Sequence, residues 1–220
     1  LSGGRLVSAD FDRVRLNRGD DVAVSVKHSA KGYAVSIDGD ALDARPLIKQ
    51  FMSDSGTAST GAGSDPITVS ANVGSLTGFH DEKLSNLTLT YSTASGKAAG
   101  LQANATTSAG AAFTVSDTGG QGRSLSMKSA DAGAVLRFLD IYEHMQGGAI
   151  TLALSGSGKG PLTGTIDARD FLVVNEPKLA SIVSTRPAND TRSLNQAVKG
   201  DIDTSRVSFE RGYSEVEKGA

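Results

Sequence analysis

Across 220 residues, 22 basic and 24 acidic side chains leave a formal charge of −2, and there is no Cys and no Trp. Gly, Ser and Thr supply 70 of the 220 residues, whereas aromatic residues make up only 5%. These figures exclude a disulfide scaffold, a zinc ribbon and a cysteine nucleophile, give no basic footprint for nucleic acid, and predict a broad, thin core.

In chain order, the dominant signal is period-2 alternation. Val22, Val24 and Val26 alternate with Ala23, Ser25 and Lys27, and Tyr33, Val35 and Ile37 repeat the pattern after a turn at Ala30-Lys31-Gly32. That pattern predicts a β-hairpin with one apolar face. Asp40 to Met52 follows as a candidate helix, with Leu47, Ile48, Phe51 and Met52 apolar and Pro46 near its first turn. Residues 53–65, rich in Ser, Gly and Thr, read as a flexible loop. Further strands are predicted around Leu87, Leu89 and Tyr91, then Leu101, Ala103 and Ala105, then Phe113 and Val115, and then Leu125 and Met127.

Ser129 to Met145 breaks the alternation. Val135, Phe138, Leu139 and Tyr142 recur at helical spacing, Ser129 offers an N-cap and Gly147-Gly148 a stop, which predicts an amphipathic helix of about four turns. Ile150, Leu152 and Leu154 and then Leu162, Gly164 and Ile166 resume the strand pattern. Asn175 to Ser184 is a third candidate helix, and a last strand is expected around Ile202 to Phe209. Asp43–Ile48 can be laid on Asp131–Leu136, a hint of internal repetition. The expected fold is therefore β-rich (α+β): a curved, twisted antiparallel meander with about three short amphipathic helices packed on or beside the sheet. Residues 1–220 read as one β-rich segment cut from a larger protein, because the chain starts with Leu-Ser-Gly-Gly and stops at Glu-Lys-Gly-Ala.

No catalytic constellation emerges. His28, His80 and His144 are the only histidines, and no Gly-x-Ser-x-Gly elbow accompanies them. His80-Asp81-Glu82 lacks the spacing of a zinc site, and Asp38-Gly39-Asp40 with Asp43 has its Gly at the wrong position for a calcium loop. Gly156-Ser157-Gly158-Lys159-Gly160 lacks the Ser or Thr that a Walker A loop carries after Lys. The expectation is a protein that is not an enzyme, with no metal and no cofactor.

The run from Ser129 to Ser184 carries a more specific signal. Ser129-Ala-Asp-Ala-Gly-Ala-Val-Leu-Arg-Phe-Leu-Asp-Ile-Tyr-Glu-His-Met-Gln-Gly-Gly148 is followed by Ala149-Ile-Thr-Leu-Ala-Leu and then by Asp170-Phe-Leu-Val-Val-Asn-Glu-Pro-Lys-Leu179. This stretch resembles the C-terminal region of the AsmA-like proteins of Gram-negative bacteria, and Gly39 to Leu47 resembles an earlier helix of the same family. The resemblance implies a segment of a periplasmic protein tethered to the inner membrane, in which a β-sheet groove shields lipid acyl chains and serves outer-membrane lipid homeostasis. Under it, Leu87, Leu89, Leu101, Ile150, Leu152, Leu154, Leu162 and Ile166 are the expected lipid-facing residues. Val135, Phe138, Leu139 and Tyr142 are the expected face of a sheet-covering helix. The expected partners are phospholipid acyl chains and no nucleic acid, with membrane contact made only by parts of the full-length protein outside this segment. A structural or glycan- or protein-binding β-module without lipid handling is the other reading the strand pattern allows.

Overall fold

The computed structural model describes residues 6–53, 65–94, 97–119, 122–157, 162–176 and 206–218. Eleven strands form one sheet in strict chain order. They are β1 (Ser8–Val14), β2 (Asp21–Ser29), β3 (Gly32–Asp43), β4 (Ile67–Thr77), β5 (Lys83–Ala94), β6 (Lys97–Thr107), β7 (Ala112–Asp117), β8 (Gly122–Ser129), β9 (Met145–Ser157), β10 (Leu162–Val174) and β11 (Arg206–Lys218). Among the described residues two helices interrupt them, α1 (Arg45–Ser53) between β3 and β4 and α2 (Ala132–Phe138) between β8 and β9.

The predicted strands β2, β3 and β5 to β10 are present, and β1 and β4 join them. The meander is not antiparallel throughout, because β3 and β4 run parallel, with Ile37 opposite Ala71 and Val35 opposite Val69. Parallel neighbours need a crossover, and the connection that begins with α1 provides it. The last strand is described over Arg206–Lys218, which takes in the predicted span from Arg206 to Phe209, while residues 202–205 lie outside the described residues.

The helices differ from expectation. Asp40 to Asp43 belongs to β3, so α1 begins at Arg45 with Pro46 in its first turn, where no backbone N–H is missed. The Asp43 carboxylate accepts from the Arg45 N–H at 3.0 Å, fixing the strand-to-helix corner. The second helix spans seven residues instead of four turns. Ser129 is the last residue of β8, and Asp131 is the N-cap, accepting from the Ala134 N–H at 3.1 Å. Leu139 is the C-cap, and Asp140 turns left-handed at φ 58°. Gly147 and Gly148, expected as the helix stop, instead lie inside β9 with φ 61° and 79°. A Cβ on Gly148 would sit 2.6 Å from the Cβ of Phe171, so the neighbouring strand needs glycine there. The third candidate helix, from Asn175, falls from residue 177 onward outside the described residues, as do most of the predicted loops at 53–65 and 156–160.

Two left-handed residues keep the apolar side chains on one face. Asn86 in β5 and Asp170 in β10 both adopt φ 54°, and beyond each the alternation resets, from Leu84 to Leu87 and from Ala168 to Phe171. The register shifts at the first, against β6, and is unbroken at the second. Without the reset, half of each long strand would turn its apolar side chains to solvent. The buried core gathers on that face around α2. It joins Val73, Leu76, Leu84, Phe113, Met127, Met145, Ile150, Phe171 and Val173 to Ala132, Val135, Leu136 and Phe138.

Candidate functional site

The pairing registers place one apolar residue from each successive strand in line across the sheet. One such row runs Val24, Ile37, Ala71, Leu89, Ala103, Val115, Met127, Leu152 and Ile166. Beside it runs a second, Val26, Val35, Val69, Tyr91, Leu101, Asp117, Leu125, Leu154 and Gly164. Between them, on the opposite face, lies a row of Ser25, Ser36, Ser70, Thr90, Gln102, Ser116, Ser126, Ala153 and Thr165. One face is thus an apolar strip, broken in its second row at Asp117, and the other a hydroxyl surface, where Ser116 and Ser126 hydrogen bond across strands at 2.9 Å. In the middle of β3, Ser36 and Asn72 both donate to Asp38, holding its carboxyl below the ordinary range.

All eight residues expected to face lipid lie on the apolar side, and the registers bring Leu89, Leu152 and Ile166 into one row and Leu101 and Leu154 into the next. They do not share one environment. Ile150, at 2% exposed, belongs to the core cluster with Val135 and Phe138. Leu101 and Leu89 are half-buried and stand outside that cluster. Leu87, Leu152 and Ile166 are half-buried against its edge, whereas Leu154 and Leu162 are buried. Of the expected helix face, Val135 and Phe138 are buried in α2, while Leu139 and Tyr142 come from the turn that follows it and pack against the core less completely. The helix therefore covers one margin of the strip, where β4 and β10 end and β5 and β9 begin, and leaves the second row without a helix over it. Val69, Val35, Val26, Tyr91 and Leu125 share that uncovered row and were not among the expected lipid-facing residues. The alternation of Ile67, Val69, Ala71 and Val73 with Thr68, Ser70 and Asn72 was the signal for the β4 contribution.

One charged pair interrupts the second row. Asp117 is 8% exposed and takes Arg123 at 2.7 Å, while its other oxygen caps the turn by accepting from the Gly119 N–H at 2.9 Å. The carboxylate raises the Arg123 guanidinium above its ordinary range.

At the helix margin, Arg137 of α2 forms an ion pair with Glu82 at 2.5 Å and donates to the Met145 carbonyl, tying the helix to the β4–β5 corner and to the start of β9. Tyr142 donates to Glu176 at 2.8 Å. Burial, reinforced by that carboxylate, pushes its phenol up to about 12. His80 lies between Asp140 at 2.7 Å and Glu143 at 3.2 Å, and His144 stacks edge-on to Tyr142. His28 packs on Tyr33 near the opposite margin. Among the described residues no group of His, Asp and Glu is arranged to hold a metal ion, and no helix is long and apolar enough to cross a membrane. A shallow cleft of about 300 Å³ lies between the helices, walled by Ile48, Lys49, Phe79, Leu139, Asp140 and Ile141, away from the strip.

Comparison of the chain with protein-family models, with curated proteins and with solved structures finds no match.

Proposed function

We propose that this chain is a non-enzymatic lipid-holding segment of an AsmA-like envelope protein, whose apolar strip carries phospholipid acyl chains across the periplasm. The observation that carries this reading is the row Val26, Val35, Val69, Tyr91 and Leu101, half-buried and outside the core cluster on the face that the rest of the fold keeps dry. An apolar face of this extent in a water-soluble protein needs a cover. At ~4.8 Å per strand, the row extends about 19 Å from β2 to β6 before the Asp117–Arg123 pair interrupts it, against ~15 Å of hydrocarbon in one bilayer leaflet. One acyl chain fits along that stretch, and each buried CH₂ contributes ~0.8 kcal/mol. The hydroxyl-rich opposite face suits continuous contact with water. In this reading no bond is made or broken, and the full-length protein is tethered to the inner membrane.

The test is direct. The 220-residue chain is purified without detergent, its bound lipids are extracted and identified by mass spectrometry, and its transfer of a fluorescent phospholipid between liposomes is timed. The reading expects co-purified phospholipid and transfer, both reduced in Leu101→Asp and Leu125→Asp. A chain that carries no phospholipid and transfers none overturns it.

A further inference from the structure

We infer that two copies of this chain join edge to edge through β1, in a two-fold antiparallel pairing centred on Ala9. The pairing continues the sheet and its apolar strip from one subunit into the other. β1 is an end strand of the sheet, with β2 its only neighbour among the described residues. Its register on β2 is regular from Ser8, opposite Lys27, to Phe11, opposite Val24, and shifts between Phe11 and Val14. The Val7 carbonyl accepts from the His28 N–H at 2.8 Å, so the same register takes in Val7. Hydrogen-bonded pairs alternate in an antiparallel ladder, so Val7, Ala9 and Phe11 bond inward to β2. The N–H and C=O groups of Ser8 and Asp10 therefore point outward along the free edge.

The side chains of that regular stretch are symmetric about Ala9. Val7, Ala9 and Phe11 stand on the apolar face, in line with His28, Val26 and Val24 of β2. Val7 at 44% and Phe11 at 53% are among the exposed large apolar side chains, with no strand beyond them to pack on. A two-fold axis through Ala9, perpendicular to the sheet, sets Val7 opposite the partner's Phe11 and Phe11 opposite the partner's Val7, so each covers the other. The outward groups of Ser8 meet those of the partner's Asp10, and both apolar faces stay on one side. Charge selects this register. An axis on Asp10 would set the two Asp10 carboxylates against each other, and one on Phe11 would set Asp10 against the partner's Asp12. With the axis on Ala9, Asp10 faces the partner's Ser8, and the exposed Lys27 of β2 lies beside Ser8 in each copy. The apolar row from Leu101 to Val26 then continues through Ala9 into the partner's Ala9. It runs about 53 Å from β6 of one copy to β6 of the other, at ~4.8 Å per strand.

This contact does not depend on what the strip holds, and its register can be read directly because the chain has no Cys. The 220-residue chain is followed by sedimentation velocity from about 1 to 300 μM, since an edge pairing buries an area at the weak end of specific contacts. The expected result is a monomer–dimer equilibrium without larger species, because a two-fold contact closes on itself. Ser8→Pro removes an outward N–H that β2 does not use, and should weaken dimerisation about tenfold or more, as should Phe11→Lys. Single Cys variants under mild oxidation then fix the register. Ala9→Cys should link to itself, since opposed residues of a non-hydrogen-bonded pair bring their Cα atoms to ~4.5 Å. Val7→Cys and Phe11→Cys should link to each other far faster than either links to itself, and Lys31→Cys, in the β2–β3 turn, should not link. Circular dichroism verifies that each variant stays folded. A chain that stays monomeric over that range, one that grows into open oligomers, or a dimer that Ser8→Pro and Phe11→Lys leave unchanged overturns the inference. So does linking of Lys31→Cys as readily as Ala9→Cys.

Discussion

Ile150 and Leu101 lie on the same face of one sheet, two rows apart. Ile150 is 2% exposed in a cluster with Val135 and Phe138, whereas Leu101 is half-buried with no helix packed on it. The strand chemistry is the same in both regions, an apolar residue alternating with Ser, Thr, Asn or Gln. What separates them is a seven-residue helix capped by Asp131 and tied by Arg137 to Glu82. The sheet face is core where α2 lies on it; in the row without a helix Leu101 stays half-buried, although Leu154 of the same row is 6% exposed. The stability of this fold is concentrated in the first region and its proposed activity in the second.

The sharpest way to break that division is Phe138→Ala. The side chain is 4% exposed, and its removal should cost ~3–5 kcal/mol by loss of burial and creation of a cavity. Urea denaturation should show that loss, and lipid binding per folded molecule should stay close to wild type. Glu82→Gln comes next, at about 1–3 kcal/mol, because it leaves the Arg137 guanidinium partly buried without its carboxylate.

Tyr142 sharpens the same contrast through pH. Its folded phenol is raised above the ordinary value of ~10 to about 12, so its contribution is complete below pH 10 and is lost as pH rises from 10 toward 12. Denaturation midpoints across that window, with phenolate absorbance followed in parallel, should fall less steeply in Tyr142→Phe. That variant should also lose about 1 kcal/mol at neutral pH with the hydrogen bond to Glu176.

On the uncovered row the signs reverse. Leu101→Ser should cost ~1 kcal/mol or less of stability, since the side chain is already half-exposed, but should lower bound phospholipid several-fold. Smallest of all, Thr90→Val on the hydroxyl face should change stability by no more than ~0.5 kcal/mol and leave bound lipid unchanged.

The sheet was largely legible from residue order because its two faces differ at every strand. Val22–Val26, Tyr33–Ile37, Leu87–Tyr91 and Leu101–Ala105 alternate cleanly, and the pleat converts that period directly into one dry and one wet side. The parallel pairing of β3 with β4 was not legible, since local period carries no direction; the crossover depends on where α1 leads the chain. The second helix was over-extended because Leu139 and Tyr142 keep helical spacing through a turn that Asp140 has already bent left-handed. Gly147-Gly148 misled for a related reason: positive φ serves helix stops and strand irregularities alike. The division between covered and uncovered rows could not be read from alternation, because Ile150 and Leu101 occupy equivalent positions in the pattern.

The central claim is that the uncovered row holds acyl chains, and a photo-reactive side chain tests it at single-residue resolution. Benzoylphenylalanine is placed at Leu101, or at its neighbour Gln102 on the hydroxyl face, and the chain is irradiated with phospholipid vesicles before mass spectrometry. The account predicts a phospholipid adduct at position 101 and none at 102. Adducts of equal yield at both positions, or none at 101, would contradict it.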